Sequence, residues 1–123
     1  MRRSASACTI LAVVLSACGG TPRISFVPSM PGAYPAKPPA CDLEVFRDAK
    51  PDRPSTPVGV IHYHLERHRT SAGALTLETA LPEIKARACG AGADALVVRV
   101  TEERHLEWAM FHVAATALRF DPK

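Results

Sequence analysis

Apolar and polar positions alternate along Cys41–Arg47, with Cys41, Leu43 and Val45 on one side and Asp42 and Glu44 on the other. A period of two marks a half-buried strand. Asp48 to Pro57 breaks the alternation with Pro51, Pro54 and Pro57 and two Asp-containing turn signals, so it reads as a loop. Alternation resumes over Val58–Arg69, where Ile61, Tyr63 and Leu65 share one side of the longest early strand. Thr70 to Leu75 is a connection of small residues. The spacing then changes. Within Thr76–Ala91, Leu77, Leu81, Ile84 and Ala88 recur at helical intervals, with Glu83, Lys85 and Arg87 largely outside that stripe. Deep in a helix Pro82 would clash with the preceding turn, so the regular part is expected from near Thr79, with Pro82 in its first turn. Gly90 or Gly92 supplies a left-handed stop. Ala95–Thr101 reads as a buried strand and Glu102–Glu107 as a charged turn. Trp108–Phe120 is a final long strand on which Phe111, Val113, Ala115 and Ala117 alternate.

The expected order is β-β-α-β-β, an α+β fold. The helix cannot bury its stripe alone, so it should pack on one face of a four-stranded antiparallel or mixed sheet. The crossover through the helix should be right-handed if its flanking strands are parallel. The other face is left to solvent or to a partner. The domain spans residues 41–120, about 80 residues, enough for one small core at a size where a covalent staple helps.

Upstream, residues 19–40 contain Pro22, Pro28, Pro31, Pro35, Pro38 and Pro39. That density removes amide donors and forbids a helix or a central strand. Residues 18–40 therefore read as an extended tether, able to reach on the order of 60 Å. Ile24, Phe26, Val27, Met30 and Tyr34 keep a second use open, as a docking strand for another envelope protein.

The first residues change how the rest is counted. Arg2 and Arg3 precede a nearly uncharged run from Ala5 to Ala17, centred on Ile10–Leu15. That run has the length of a secretory signal and is too short for a spanning helix. It ends in Leu15-Ser16-Ala17-Cys18, followed by Gly19. This resembles the lipobox of bacterial lipoproteins. The resemblance implies that residues 1–17 are a cleaved signal peptide and that Cys18 carries the acyl chains that anchor the protein to a membrane. The alternative is an ordinary secretory signal with an incidental cysteine. Gly19 after the cysteine resembles lipoproteins sent to the outer membrane, which implies a place in the bacterial envelope facing the periplasm or the cell surface. Without Arg2 and Arg3 the 15 basic residues fall to 13 against 12 acidic ones, so the mature balance is near neutral. No clustered basic face argues for nucleic acid.

Of four cysteines, Cys8 leaves with the signal and Cys18 is taken by lipid, which leaves Cys41 and Cys89. An even pair in an oxidising compartment favours a disulfide. Cys41 opens the first strand and Cys89 ends the helix, so a helix edge meeting a sheet edge would bring them together. A redox or nucleophilic thiol is the other reading, but it lacks a C-x-x-C partner.

His62, His64, Glu66 and His68 alternate onto the side opposite Ile61, Tyr63 and Leu65. His-x-His on one strand face puts two imidazoles about 7 Å apart at the backbone, near enough to share one transition metal, with Glu66 or His68 completing an open site. The plainer reading is a solvated strand face that happens to carry histidines. His105 and His112 approach this cluster only if their strands are neighbours. No G-x-S-x-G, H-E-x-x-H or phosphate-cradling loop occurs, and the glycines of Gly90–Asp94 follow a helix rather than open one. An enzyme is not expected, and no cofactor beyond such a metal.

Finally, Leu81 to Val98 (LPEIKARACGAGADALVV) is similar to a helix-to-strand signature, A-x-x-x-G-A-D-A-V-[IV], of small bacterial envelope domains. These include the outer-membrane sensor lipoproteins of the Rcs phosphorelay and heavy-metal-binding-like domains. The resemblance implies a non-catalytic, lipid-anchored ββαββ domain with an envelope protein as partner. The sensor family uses two disulfides, whereas only Cys41 and Cys89 are available here.

Overall fold

The computed structural model describes residues 21–29, 34–68 and 76–123. The signal segment, Cys18, Gly19 and the Thr70–Leu75 connection lie outside the described residues. The elements in chain order are β1 (Arg23–Pro28), β2 (Glu44–Arg47), β3 (Ser55–His68), α1 (Leu77–Gly90), β4 (Ala95–Arg104) and β5 (Trp108–Phe120). They form one helix and one five-stranded mixed sheet of order β1-β3-β5-β4-β2. β2 runs parallel to β4, and the other neighbours are antiparallel.

The α+β class and the β-β-α-β-β succession hold from β2 onward. The strand count of four is corrected to five, because Arg23–Pro28, assigned to the tether by its proline-rich surroundings, pairs with β3 from Arg23↔His64 to Pro28↔Gly59. The physical reason is local. Proline occurs in that stretch only at its last position, so the preceding amides remain free to pair, and the strand sits at an edge where proline is tolerated. Its Phe26 ring lies over Gly59, where an added Cβ would stand 2.5 Å from the ring carbons. Ile24 and Phe26 thereby extend the core.

The helix starts at Leu77, not near Thr79, and so holds Pro82 two residues deeper than expected. Glu78 and Pro82 are both exposed, so water can take the carbonyl that the missing proline N–H leaves unmatched. At the start, the Thr76 N–H donates to Thr79 Oγ1 at 3.3 Å, and the Thr79 hydroxyl donates to the Thr76 carbonyl at 2.7 Å. At the end, the Gly92 N–H donates to the Cys89 carbonyl and the Ala93 N–H to the Ala88 carbonyl, each at 3.0 Å. Gly92 has φ +79°, and this pair of bonds is a Schellman stop. Between the two candidates, Gly92 supplies the left-handed residue.

The helix buries Ala80, Ile84, Ala88 and Cys89. It packs on the central strands, against Ile61, Tyr63, Phe111, Val113, Ala115 and Ala117. The stripe is thus turned slightly from the Leu77–Leu81–Ile84–Ala88 line. Alanine at positions 80 and 88 lets the helix sit close to the sheet, while Leu81 is only half-buried. Tyr63 and Phe111 meet edge to face in this core, with ring centroids 6.4 Å apart. Burial, with Glu83 as a smaller contributor, raises the Tyr63 phenol above its ordinary value.

Cys41 and Cys89 are joined by a disulfide with Cα atoms 5.9 Å apart. The chain before it is docked on the domain as well. The Lys37 N–H donates to the Cys89 carbonyl at 2.8 Å, Lys37 Nζ to the Ala93 carbonyl at 2.9 Å, and Lys37 pairs with Asp94. Arg119 lies over the Tyr34 ring at 4.5 Å. Among the described residues no helix is long and apolar enough to cross a membrane.

Candidate functional site

The sheet has two unlike faces. The one under α1 is apolar. The other carries His62 and His64 from β3 and His112 from β5, because alternation along β3 and β5 sends them away from the core residues beside them. Register aligns them. His64 is directly opposite His112, flanked by Arg23 on β1 and Thr101 on β4. One row along, His62 is opposite Ala114, flanked by Ser25 and Arg99. One row the other way, Glu66 faces Met110 and Glu103.

The His62 and His112 rings are stacked, with centroids 5.5 Å apart and planes 17° apart. The His64 and His112 centroids are 6.0 Å apart, with planes tilted by 56°. His112 is therefore the middle member of a three-imidazole cluster. Its pKa is lowered, first by desolvation and then by the charges of His62 and His64, so it stays a neutral imidazole at neutral pH. His64 Nε2 lies 3.2 Å from Glu66 Oε1. An ionised carboxylate only accepts, so this nitrogen is the donor of the pair. Two open depressions border His64. One, of about 210 Å³, is lined by His64, Thr101, Glu103, Met110 and His112. The other, of about 450 Å³, is lined by Thr21, Pro22, Arg23, His64, Glu66 and Trp108.

The structure therefore joins His62 and His64 but not His68. The His68 ring packs edge-on against Trp108, with centroids 5.8 Å apart, one row beyond Glu66 along β3. His105 lies in the β4–β5 turn, with Nε2 3.6 Å from Glu103 Oε2. Among the described residues no group of three or more His, Cys, Asp or Glu side chains is placed so that it could hold a metal ion. His112, expected to approach the cluster only if its strand neighboured that of His62 and His64, does so because β3 pairs with β5. Its face was legible from Phe111 and Val113, but the adjacency of β3 and β5 was not.

Asp94, just after the helix stop, is the other polar centre. Burial opposes its ionisation, but Lys37, the Phe120 N–H at 2.8 Å and Arg119 outweigh that and lower its pKa. It ties β5, the β4 start and the segment before the disulfide together, which is a structural task.

No protein-family model matches the chain, and no curated protein matches it. The fold is similar to that in the crystal structure of the Francisella virulence factor FvfA in its orthorhombic form, with a TM-score of 0.52 and 11% identity over 77% of this chain and 97% of that one. At that identity the likeness supports the fold alone.

Proposed function

We propose that the chain is a lipid-anchored lipoprotein of the bacterial envelope, attached through Cys18 to the outer membrane and facing the periplasm or the cell surface. Its five-stranded domain is a non-catalytic interaction or sensor module that contacts another envelope protein. The observation that carries this reading is the Cys41–Cys89 disulfide. A bonded pair fits an oxidising compartment, the destination that the Leu15–Cys18 stretch implies. The short edge strand β2 and the open polar face opposite α1 offer a partner backbone and side chains to bind.

Two measurements test it. Metabolic labelling with an alkyne fatty acid should mark the wild-type chain, and Cys18→Ala should abolish both the label and membrane fractionation. Photo-crosslinkers placed along β2 and at Ser25 and Arg99 should recover a recurrent protein neighbour. Retained label in Cys18→Ala refutes the anchor, and repeated failure to capture any neighbour refutes the interaction role.

A further inference from the structure

We propose that the tip of the β4–β5 hairpin, through Leu106 and Trp108, rests in the surface of the membrane that holds the Cys18 lipid, so that the domain stands on that end. This placement rests on the lipid anchor at Cys18. Strand direction carries it. β1 pairs antiparallel with β3, with Arg23 opposite His64 and Pro28 opposite Gly59. The start of β1 therefore points toward the end of β3, where His68 pairs with Trp108 at the start of β5. Thr21, Pro22 and Arg23 line one depression together with Trp108, so the chain enters the fold beside the hairpin. Only Gly19 and Gly20 separate Cys18 from Thr21, and three residue steps span at most about 11 Å. The other end of β5, at Phe120, is about 40 Å from Trp108 at the rise of an extended strand. An anchor at Cys18 is close to one end of the sheet and far from the other, so the hairpin end is the one held at the lipid.

The side chains at that end suit a lipid surface. Among the described residues the exposed large apolar side chains are Leu106 at 93%, Val27 at 55% and Trp108 at 51%. Two of the three are thus on one hairpin tip, while Val27 lies toward the other end of β1, opposite Val60. Tryptophan belongs at a membrane–water interface, where its ring meets the apolar layer and its N–H stays among polar groups. Charge does not drive the contact. Arg67 and Arg104 stand against Glu102, Glu103 and Glu107. Arg104 lies 3.9 Å from Glu102 and His105 3.6 Å from Glu103, so charges at the tip are paired locally. The attraction is therefore apolar. A leucine and a tryptophan alone hold a bilayer weakly, but an anchored chain presents them to it at high effective concentration.

Trp108 is the only tryptophan, so its emission reports this tip alone. The chain purified from membranes is checked for acyl groups by mass spectrometry. It is then reconstituted in vesicles of phosphatidylethanolamine and phosphatidylglycerol, with and without brominated acyl chains. Bromine quenches only on close approach, so Trp108 emission should fall about twofold in the brominated vesicles, equally at low and high salt. Leu106→Asp should keep the fold by circular dichroism and remove at least half of that quenching. Trp108→Phe combined with Lys123→Trp moves the reporter to an exposed position past the far end of β5, where it should not be quenched. In cells, a photoreactive residue at position 106 should give lipid adducts. Unquenched Trp108 in vesicles that carry the acylated chain overturns the placement and leaves the anchor standing. So does equal quenching of the Lys123→Trp reporter, undiminished quenching in folded Leu106→Asp, or protein adducts as the main product at position 106. A chain with no acyl group at Cys18 overturns both the placement and the anchor.

Discussion

His112 stands directly across from His64 on the neighbouring strand, and its ring stacks on that of His62 one row away. Three titratable rings therefore crowd one patch of an otherwise ordinary sheet face, alongside Arg23 of β1, Glu66 of β3, and Arg99 and Glu103 of β4.

The pH dependence of stability follows from the middle ring. The folded state lowers the His112 pKa below its ordinary value of 6.5. Below that value the unfolded chain takes up the proton more readily, so the contribution is fully present above about pH 6.5 and is lost as pH falls through the folded pKa. Urea midpoints should drop between neutral and mildly acidic pH, and His112→Asn should flatten that slope. An unchanged slope in a folded variant would refute the coupling.

The Lys37–Asp94 pair anchors the segment before the disulfide. Asp94→Asn should destabilise by about 1.5–3 kcal/mol, the range for hydrogen bonds to charged groups. The acid limb behaves as expected of a depressed carboxyl. Asp94 contributes above its unfolded value, near 3.8, and the contribution is lost as pH falls through its lower folded pKa. Denaturation curves of wild type and variant should therefore converge in strong acid.

Gly59 and Phe26 are coupled by contact. Gly59→Ala should cost roughly 1–3 kcal/mol, since the new methyl meets the Phe26 ring and the Val27 carbonyl. In Phe26→Ala the ring half of that clash is gone, so the double variant should lose less than the sum of the two single ones. Additive losses in a double-mutant cycle would show that the ring does not rest on Gly59.

Breaking the disulfide should be costly in so small a domain. The two cysteines are 48 residues apart, and Cys89 is fully buried. Cys41→Ser with Cys89→Ser should lose about 4 kcal/mol by the chain-entropy account. The thermal midpoint should fall accordingly, and a reducing agent should shift the wild type but not the double variant.

A core truncation gives the scale for these effects. Phe111 is 1% exposed beneath the helix and beside Tyr63. Phe111→Ala should destabilise by about 3–5 kcal/mol, more than any polar change above, as read by chemical denaturation.

Much of the domain was legible in its alternation. Trp108–Phe120 has the bounds expected, and β3 and β4 are each only extended by a few residues. Those residues announce themselves because one face of each strand is buried, and burial imposes a period of two. The helix start was misplaced because Pro82 was weighed as a local barrier, whereas packing of Ala80 and Leu77 carries the helix two residues further back. The first strand was hidden because Arg23–Pro28 sits among prolines, and composition over a window does not distinguish a spaced proline from one inside the strand.

By itself the sequence determined which residues face inward, that one helix covers one sheet face, and that Cys41 and Cys89 were the natural pair. These depend on periodicity and on local chemistry, which a chain carries in its order. Only the tertiary structure decided that β5 lies between β3 and β4, that Arg23–Pro28 adds an edge, and that His112 rather than His68 joins His62 and His64. Strand order brings together residues dozens of positions apart, and no local period records which strands become neighbours.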